Sequence, residues 1–204
     1  MQYHKIIILK DGRPCVLRNG TEQDGQALLD IFILTHTQTD FLIDYPDEIT
    51  MTAEQEMRFL KDKAESEKEI EILAETGGSV VGSAGIWCIR DKAKIRHRAG
   101  FGIGVNEAYW GLGIGRALTE ACIDCAKAAG YRQLELDVLA DNANALALYR
   151  SLGFVEYGRN PRGISLRTSG YHELVLMRLE LDKQAAEQSS MGDKQASKTR
   201  SNSF

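Results

Sequence analysis

The first apolar positions of the chain follow the short period of strands. A run from Lys5 to Leu9 is followed by Asp11-Gly12 and by a second run from Arg13 to Arg18. Two short runs separated by an Asp-Gly turn are typical of a tight β-hairpin. The chain is therefore predicted to begin with a hairpin.

Two helices are predicted next, because capping-box patterns precede apolar residues at helical spacing. Thr21-x-x-Asp24 opens a helix through about His36, with Leu28, Ile31, Phe32 and Thr35 on one face. A loop covers 37–50. Thr52-x-x-Gln55 then caps a second helix, which carries Met57, Phe59 and Leu60 and ends before Glu69.

Alternating and apolar runs predict strands in the middle of the chain. They cover Glu69 to Ala74, Ser79 to Ile89 and Arg98 to Asn106, with Gly77-Gly78 as a turn, so an antiparallel arrangement is expected. The remaining predicted elements are a helix at 111–129, a strand at 132–139, a helix at 142–152 and strands at 154–158 and 171–181. This order predicts a single mixed α/β (α+β) domain.

Composition limits the classes of protein that the chain can represent. Of 204 residues, 43% are hydrophobic and 26% are charged, which is typical of a soluble globular domain. The net charge of -4 argues against nucleic acid as a partner. Apolar runs are too short for a membrane span and no cationic leader precedes a long apolar stretch, so a cytoplasmic protein without membrane partners is expected.

The end of the chain differs in composition from the rest. After Leu181 the residues are mostly Gln, Ser, Lys and Ala, with almost nothing to bury. We therefore predict a folded domain at residues 1–182 and a disordered polar tail at 183–204. Cys122 and Cys125 have the spacing of a metal half-site, but no second pair completes it, so they are interpreted as core-facing thiols and no metal is expected.

Glycines are concentrated in one segment, with six in the sixteen residues from Gly100 to Gly115. A dinucleotide fingerprint would need glycine where Arg116 stands, and no Walker A sequence is present. A strand, a turn and a glycine-lined helix start remain, and the exposed amides of such a start can hold a pyrophosphate. The alternative is that the glycines only allow a helix to pack closely on a sheet.

A second group of residues shares one face of the later helix. Asn142, Ala145 and Tyr149 are three and four residues apart, so they lie side by side. Asp141 or Asn142 can cap this helix, and Tyr149 brings a phenol to that face. Taken by itself, the segment also fits a plain amphipathic helix with a half-buried tyrosine.

Together the two segments resemble the cofactor motifs of the GNAT superfamily of acetyl-CoA-dependent N-acyltransferases. The matching stretches are Val105-x-x-x-x-Trp110-Gly111-Leu112-Gly113-Ile114-Gly115-Arg116-Ala117-Leu118 and Asn142-x-x-Ala145-x-x-Leu148-Tyr149-x-x-x-Gly153-Phe154. The family pattern R/Q-x-x-G-x-G/A is met at Gly113 and Gly115, whereas Trp110 replaces the usual Arg or Gln. The resemblance implies a largely antiparallel sheet with a splayed central strand pair and flanking helices over about residues 14–181.

The resemblance also implies a set of contacts to acetyl-CoA as co-substrate. The pantetheine arm is expected along the strand that Gly100, Gly102 and Gly104 loosen, with the pyrophosphate on the amides of the following glycine loop. Tyr149 is expected to act as general acid for the departing thiolate. The implied cofactor-binding residues are Ile103, Gly104, Val105, Gly111, Leu112, Gly113, Ile114, Gly115, Arg116, Asn142, Ala145 and Tyr149.

An attacking amine must be neutral, so a base is required. Asp137 is the first candidate, because some peptide N-terminal acetyltransferases of the family carry a glutamate at the matching position. Glu135 and Glu107 are alternatives. The acidic and aromatic loop that contains Asp40, Phe41, Asp44, Tyr45, Asp47 and Glu48 either receives a cationic amine or simply carries exposed capping acids.

The resemblance thus implies an N-acetyltransferase that passes an acetyl group from acetyl-CoA to a primary amine by direct attack. The acceptor is expected to be a small molecule or a peptide or protein amine. A non-catalytic acyl-CoA-binding sensor would keep the glycine loop and Asn142 and is the alternative. The oligomeric state, including a homodimer, is left open.

Overall fold

The computed structural model of the protein describes residues 1–182, so the predicted tail at 183–204 lies outside the described residues. In this range the strands are β1 His4–Ile8, β2 Pro14–Asn19, β3 Ile70–Thr76, β4 Ser79–Cys88, β5 Arg98–Val105, β6 Gln133–Leu139, β7 Val155–Leu166 and β8 Gly170–Glu180. The helices are α1 Gly25–Gln38, α2 Ala53–Glu65, α3 Ile114–Ala128 and α4 Ala143–Ser151.

All described strands join one sheet in the order β1-β2-β3-β4-β5-β6-β8-β7. Neighbouring strands are antiparallel except β5 and β6, which are parallel and pair only from Arg98 with Gln133 to Gly100 with Glu135. Since β5 continues to Val105, the two strands part at the centre of the sheet. The prediction of a mixed, largely antiparallel sheet with a splayed central pair is confirmed.

Helices cover both faces of the sheet, as the alternation of side chains along β3 shows. Ile70 and Ile72 belong to the main core together with residues of α3, whereas Leu73 joins a second cluster with Leu28 and Leu60 of the first two helices. Successive strand residues point to opposite faces. The first two helices therefore pack on one face and α3 on the other.

Local capping fixes where the first two helices begin, as predicted. The Thr21 amide donates to Asp24 Oδ2 at 2.9 Å in a short 3-10 turn ahead of α1. The Thr52 amide donates to Gln55 Oε1 at 2.8 Å at the start of α2. The carboxylate of Asp24 also accepts two hydrogen bonds from Arg18, which attaches the helix start to β2.

Two predicted boundaries are wrong. Helix α3 begins at Ile114 rather than Gly111, because Gly111 and Gly113 have positive φ angles that a right-handed helix cannot contain. Strand β7 runs to Leu166 rather than residue 158 and forms a long hairpin with β8. Its register shifts between Asn160 and Ile164, a stretch that contains Pro161 and Gly163.

Two further expectations concern cysteine and the membrane. Cys122 and Cys125 are free and buried in the main core, which confirms the interpretation of core-facing thiols. No helix within residues 1–182 has both the length and the apolar character needed to cross a membrane.

Candidate active site

A deep cleft opens where β5 and β6 separate, with a volume of about 1150 Å³. It is bounded by the two strands, by the loop before α3 and by α4. Most of the predicted site residues line it: Ile103, Gly104, Val105, Gly111, Gly113, Gly115, Arg116, Asp137, Asn142, Ala145 and Tyr149. The fold thus brings both sequence motifs and the candidate base to one cavity.

Leu112 and Ile114 are the two predicted cofactor residues that do not line the cleft. The side chain of Ile114 is fully buried in the main core, and Leu112 packs against that core. The Leu112 carbonyl accepts a hydrogen bond of 3.1 Å from the Lys10 amide, which attaches the loop to the β1–β2 turn. Their side chains anchor the loop, so only their backbone amides remain candidates for cofactor contact.

The loop before α3 is shaped by glycine conformation. Gly111 has φ +76° and Gly113, the N-cap of α3, has φ +102°, and a Cβ atom at either would meet nothing within 4 Å. Glycine is therefore required there by the backbone and not by crowding. The resulting turn exposes the first amides of a 15-residue helix to the cleft, where they and the helix dipole favour an anion.

The glycines of β5 lie against side chains of neighbouring elements. A Cβ atom on Gly100 would lie 2.4 Å from the Trp87 ring, and one on Gly104 would lie 3.2 Å from Thr35 Oγ1. These glycines make room for side chains from β4 and α1 on the face that the first two helices cover. Strand β5 stays paired with β4 from Ala99 to Val105, while its edge toward β6 is unpaired past Gly100, so a role of these glycines in holding a pantetheine arm stays a prediction.

Tyr149 lies at the floor of the cleft and is only 7% exposed. Its ring packs edge-on against Phe101, with centroids 6.2 Å apart, and at a tilt against Phe154 at 5.7 Å. Burial raises the pKa of Tyr149 to about 12, so the phenol keeps its proton at neutral pH. A buried, protonated phenol that faces a cavity is suited to donate a proton.

Asn142 is the residue that caps α4. Its Oδ1 accepts a hydrogen bond of 3.1 Å from the Ala145 amide, which leaves the side-chain NH₂ as a donor at the cleft wall. Asp141, the alternative cap, is instead 2.7 Å from His172 Nδ1 on β8. Arg116 stands at the rim, where its Nη2 donates to Ser151 Oγ at 2.6 Å.

The three candidate bases occupy different environments. Glu135 is buried and paired with Arg98, whose Nη2 donates to Glu135 Oε2 at 2.6 Å. Glu107 does not line the cleft, and its amide donates to Gln38 Oε1 at 2.9 Å. Asp137 lines the cleft without an ion pair among the described residues, and partial burial followed by the charge of Glu135 raises its pKa. Asp137 therefore has the geometry most suited to a base.

The acidic loop does not deliver its carboxylates to the cleft. Arg167, at the end of the β7–β8 hairpin, donates to Asp47 at 2.7 Å and to Glu48 at 3.2 Å, and its amide donates to the Tyr45 hydroxyl. Of the six loop residues singled out in the sequence, Phe41 alone lines the cleft. Asp47 and Glu48 attach the hairpin to the loop, and of the two interpretations given for these acids the binding of a cationic amine is not supported.

Sequence reasoning missed a smaller pocket that joins the cleft beneath the first two helices. It has a volume of about 370 Å³ and is lined mostly by apolar residues, with the polar side chains of Thr35, His36, Gln55, Glu56, Glu71 and Ser83. The alternation of Glu71 with apolar neighbours in β3 was the available signal, because it places a carboxylate on the helix-covered face of a central strand.

Comparisons with known proteins show the family of the chain and its fold. The sequence model of the Acetyltransferase (GNAT) family matches residues 32–154, which is more than half of the chain. The chain belongs to the GNAT family of acetyltransferases. The family assignment confirms the resemblance carried by the two motifs.

Individual relatives of this GNAT protein match it over different extents. N-alpha-acetyltransferase RimI of Mycobacterium tuberculosis is 40% identical over 89 residues, which cover 44% of this chain and 54%, about half, of that protein. A GNAT acetyltransferase structure from Streptococcus pneumoniae has a TM-score of 0.78 with 29% identity, covering 81% of this chain and 99% of that one. The structure of yncA from Salmonella typhimurium, which contains its cofactor acetyl-CoA, has a TM-score of 0.74 with 22% identity over 83% of this chain and 95% of that one.

Proposed function

We propose that this GNAT protein is an N-acetyltransferase that transfers an acetyl group from acetyl-CoA to a primary amine. The observation that carries the proposal is the convergence on one cleft of an open helix start, an unpaired strand edge and a buried phenol. An anion-binding site alone would fit many ligands. A protonated group beside it supports a transfer reaction over simple binding.

The residues present fit acetyl-CoA. Past Gly100, the edge of β5 that faces β6 has no strand partner, so the backbone of Ile103, Gly104 and Val105 is available to hold an extended pantetheine arm. The amides from Gly111 to Arg116 form the place for its pyrophosphate. The free amide group of Asn142 and the small side chain of Ala145 complete the wall along α4.

Acetyl-CoA supplies the acetyl thioester when it is bound. Asp137 accepts a proton from the acceptor ammonium, directly or through water, and leaves a neutral amine. The amine nitrogen forms the new C–N bond as the C–S bond breaks. Tyr149 donates its phenolic proton to the departing sulfur. The nitrogen loses a second proton as the amide forms, and this proton restores the phenol through solvent, while Asp137 releases the first proton to water.

We also propose that the protein is cytoplasmic, that it forms a homodimer and that its folded domain ends at residue 182. The chemical class of the acceptor amine is a further proposal. The similarity to RimI supports a peptide α-amine as one acceptor class. The small pocket under the first two helices supports a small-molecule amine as another.

Two measurements test the proposal. Calorimetric titration should show acetyl-CoA binding, and a CoA-release assay over polyamines, amino acids, aminoglycosides and short peptides should identify at least one acceptor. Acetyl-CoA binding with no release from any amine would contradict the enzyme and favour an acyl-CoA sensor. Protection against heating by ATP or NAD, and not by acetyl-CoA, would contradict both.

A further inference from the structure

The small pocket lies between the first two helices and the face of the sheet that they cover. Its sides are apolar and include Phe32 of α1 and Phe59 of α2. It shares Thr35, Ile103 and Gly104 with the large cleft, so the two cavities meet at the segment of β5 proposed to hold the reactive end of the cofactor. A molecule in the small pocket would therefore reach that segment directly.

One of the two carboxylates in this pocket is positioned by a glycine. Glu71 of β3 is opposite Gly85 of β4, and Gly85 is opposite Gly102 of β5. A Cβ atom on Gly85 would lie only 2.0 Å from Glu71 Oε2, so the Glu71 side chain occupies the space above β4 that glycine leaves empty. Glu71, Gly85 and Gly102 are thus neighbours across three adjacent strands. Because adjacent strands lie about 4.8 Å apart, the backbones of Glu71 and Gly102 are roughly 10 Å apart.

The other carboxylate is buried without a partner. Glu56 of α2 is only 4% exposed, and no described residue donates a hydrogen bond to it or forms an ion pair with it. Burial alone raises its pKa. A carboxylate without a partner in the wall of a cavity can bind a cationic group that enters the cavity.

No basic side chain in the described part of the chain forms an ion pair with these two acids. His36 lines the pocket, but its Nδ1 is 2.7 Å from the Phe32 carbonyl oxygen and its Nε2 is 3.9 Å from Asp44. Lys63 is the nearest cation that affects Glu71, but its ammonium is 2.7 Å from Glu69 and 3.3 Å from the Ile86 carbonyl. The pKa of Glu71 is raised to about 7, mainly by burial; a hydrogen bond from Ser83 and the charge of Lys63 act against this rise, and the charge of Glu56 adds to it. A cation that entered the pocket would complete the ionisation of both acids.

We infer that this pocket binds the acceptor and selects a diamine, with one ammonium group held by Glu56 and Glu71 and the other amine placed over Gly102 and Gly104. The inference rests on the proposed function and names its substrate class. The apolar sides formed by Phe32 and Phe59 suit the carbon chain between the two nitrogens. A carboxylate at the far end of the acceptor would face two acids, which disfavours amino acids.

A matched series of acceptors tests the selectivity: 1,5-diaminopentane, pentylamine and 5-aminopentanoate share a chain and differ in the charge at its far end. We expect kcat/KM for the diamine to exceed that for pentylamine at least tenfold, with 5-aminopentanoate lowest. Glu56→Gln and Glu71→Gln should each reduce the advantage of the diamine several-fold while leaving acetyl-CoA affinity unchanged. Glu65→Gln, an exposed position on the same helix, should change nothing.

Equal kcat/KM for the diamine and pentylamine, or unchanged selectivity in both glutamine variants, would overturn the inference. Absence of CoA release with every amine would instead overturn the proposed function, and calorimetric titration of the diamine in the presence of CoA would then decide on the pocket. Diamine binding that Glu56→Gln weakens supports the inference, and no binding contradicts it. Thermal melting checks that each variant is folded.

Discussion

The indole Nε1 of Trp110 donates a hydrogen bond of 2.6 Å to the carbonyl oxygen of Val105. Trp110 stands where the family motif has Arg or Gln, and Val105 is the last residue of β5. The bond joins the strand edge proposed to hold pantetheine to the turn that leads into the glycine loop. The tryptophan at this position of the motif therefore holds the turn between the end of β5 and the glycine loop.

Replacing this tryptophan should loosen the turn. Trp110→Phe keeps an aromatic ring and removes the donor, so we expect a loss of about 1 kcal/mol in the free energy of unfolding. Acetyl-CoA affinity should fall several-fold because the glycine loop is held less firmly. Urea denaturation and calorimetric titration measure the two effects, and unchanged affinity would show that the bond has no part in positioning the loop.

Gly113, at the N-cap of α3, and Gly115, in its first turn, should respond differently to substitution by alanine. Gly113→Ala forces a side chain into φ +102°, so we expect a loss of about 1–2 kcal/mol in the free energy of unfolding. Gly115 is helical and an added Cβ would make only an ordinary contact of 3.7 Å with Leu148, so Gly115→Ala should keep stability. Since Gly115 lines the cleft, acetyl-CoA affinity should nevertheless fall. Equal stability loss in both variants would contradict the distinction.

The phenol of Tyr149 should matter for turnover and not for folding. No described residue forms a hydrogen bond with its hydroxyl, so Tyr149→Phe leaves the packing on Phe101 and Phe154 intact. We expect kcat to fall about 100-fold or more, with acetyl-CoA affinity and melting temperature nearly unchanged. Tyr171→Phe, at an exposed position on β8, is the control. Unchanged kcat in Tyr149→Phe would remove the phenol from the mechanism.

The features that sequence predicts well are those set by neighbouring residues. The Asp-Gly hairpin, both capping boxes and the glycine loop each depend on residues within a few positions, and each appears in the structure. Strand β7 was predicted to end at residue 158, whereas pairing with β8 carries it past Pro161 and Gly163 to Leu166. Tertiary pairing outweighed local preference there.

The parts of the site that escaped prediction depend on contacts between distant segments. The pairing of Glu135 with Arg98 joins residues 37 positions apart, and the contact of Arg167 with Asp47 joins residues 120 apart. Neither pair has a spacing that sequence periodicity can reveal. For the same reason, Glu56 and Glu71 line the same pocket only when α2 packs on β3.

The two acidic residues of β6 should have different roles: Asp137 a catalytic role and Glu135 a structural role. Asp137→Asn should lower kcat/KM at least tenfold near neutral pH and leave the free energy of unfolding nearly unchanged. Glu135→Gln leaves the guanidinium of Arg98 without its partner and should cost about 2 kcal/mol of stability, less than a fully buried pair because Arg98 is partly exposed. Urea denaturation and steady-state kinetics on both variants check the assignment, which fails if the two effects are exchanged.

Because of the Glu71 carboxyl group, the free energy of unfolding should decrease as the pH rises. Burial raises its pKa from 4.5 to about 7, so between these values the folded protein holds a proton that the unfolded chain has released. The free energy of unfolding therefore decreases from about pH 4.5 to 7 by up to about 3 kcal/mol, and this contribution is constant above and below that window. Asp24, whose pKa is lowered to about 2 by Arg18, acts in the opposite direction and below this window.

Glu71→Gln should remove this contribution while leaving the other carboxylates in place. The free energy of unfolding, measured by urea denaturation, should therefore decrease less between pH 5 and pH 8 in the variant than in the unmodified protein. Glu65→Gln, which alters an exposed carboxylate, should follow the unmodified protein at both values. If all three proteins changed in parallel, the Glu71 carboxyl would titrate near its ordinary pKa, and the pocket would be more hydrated than its walls imply.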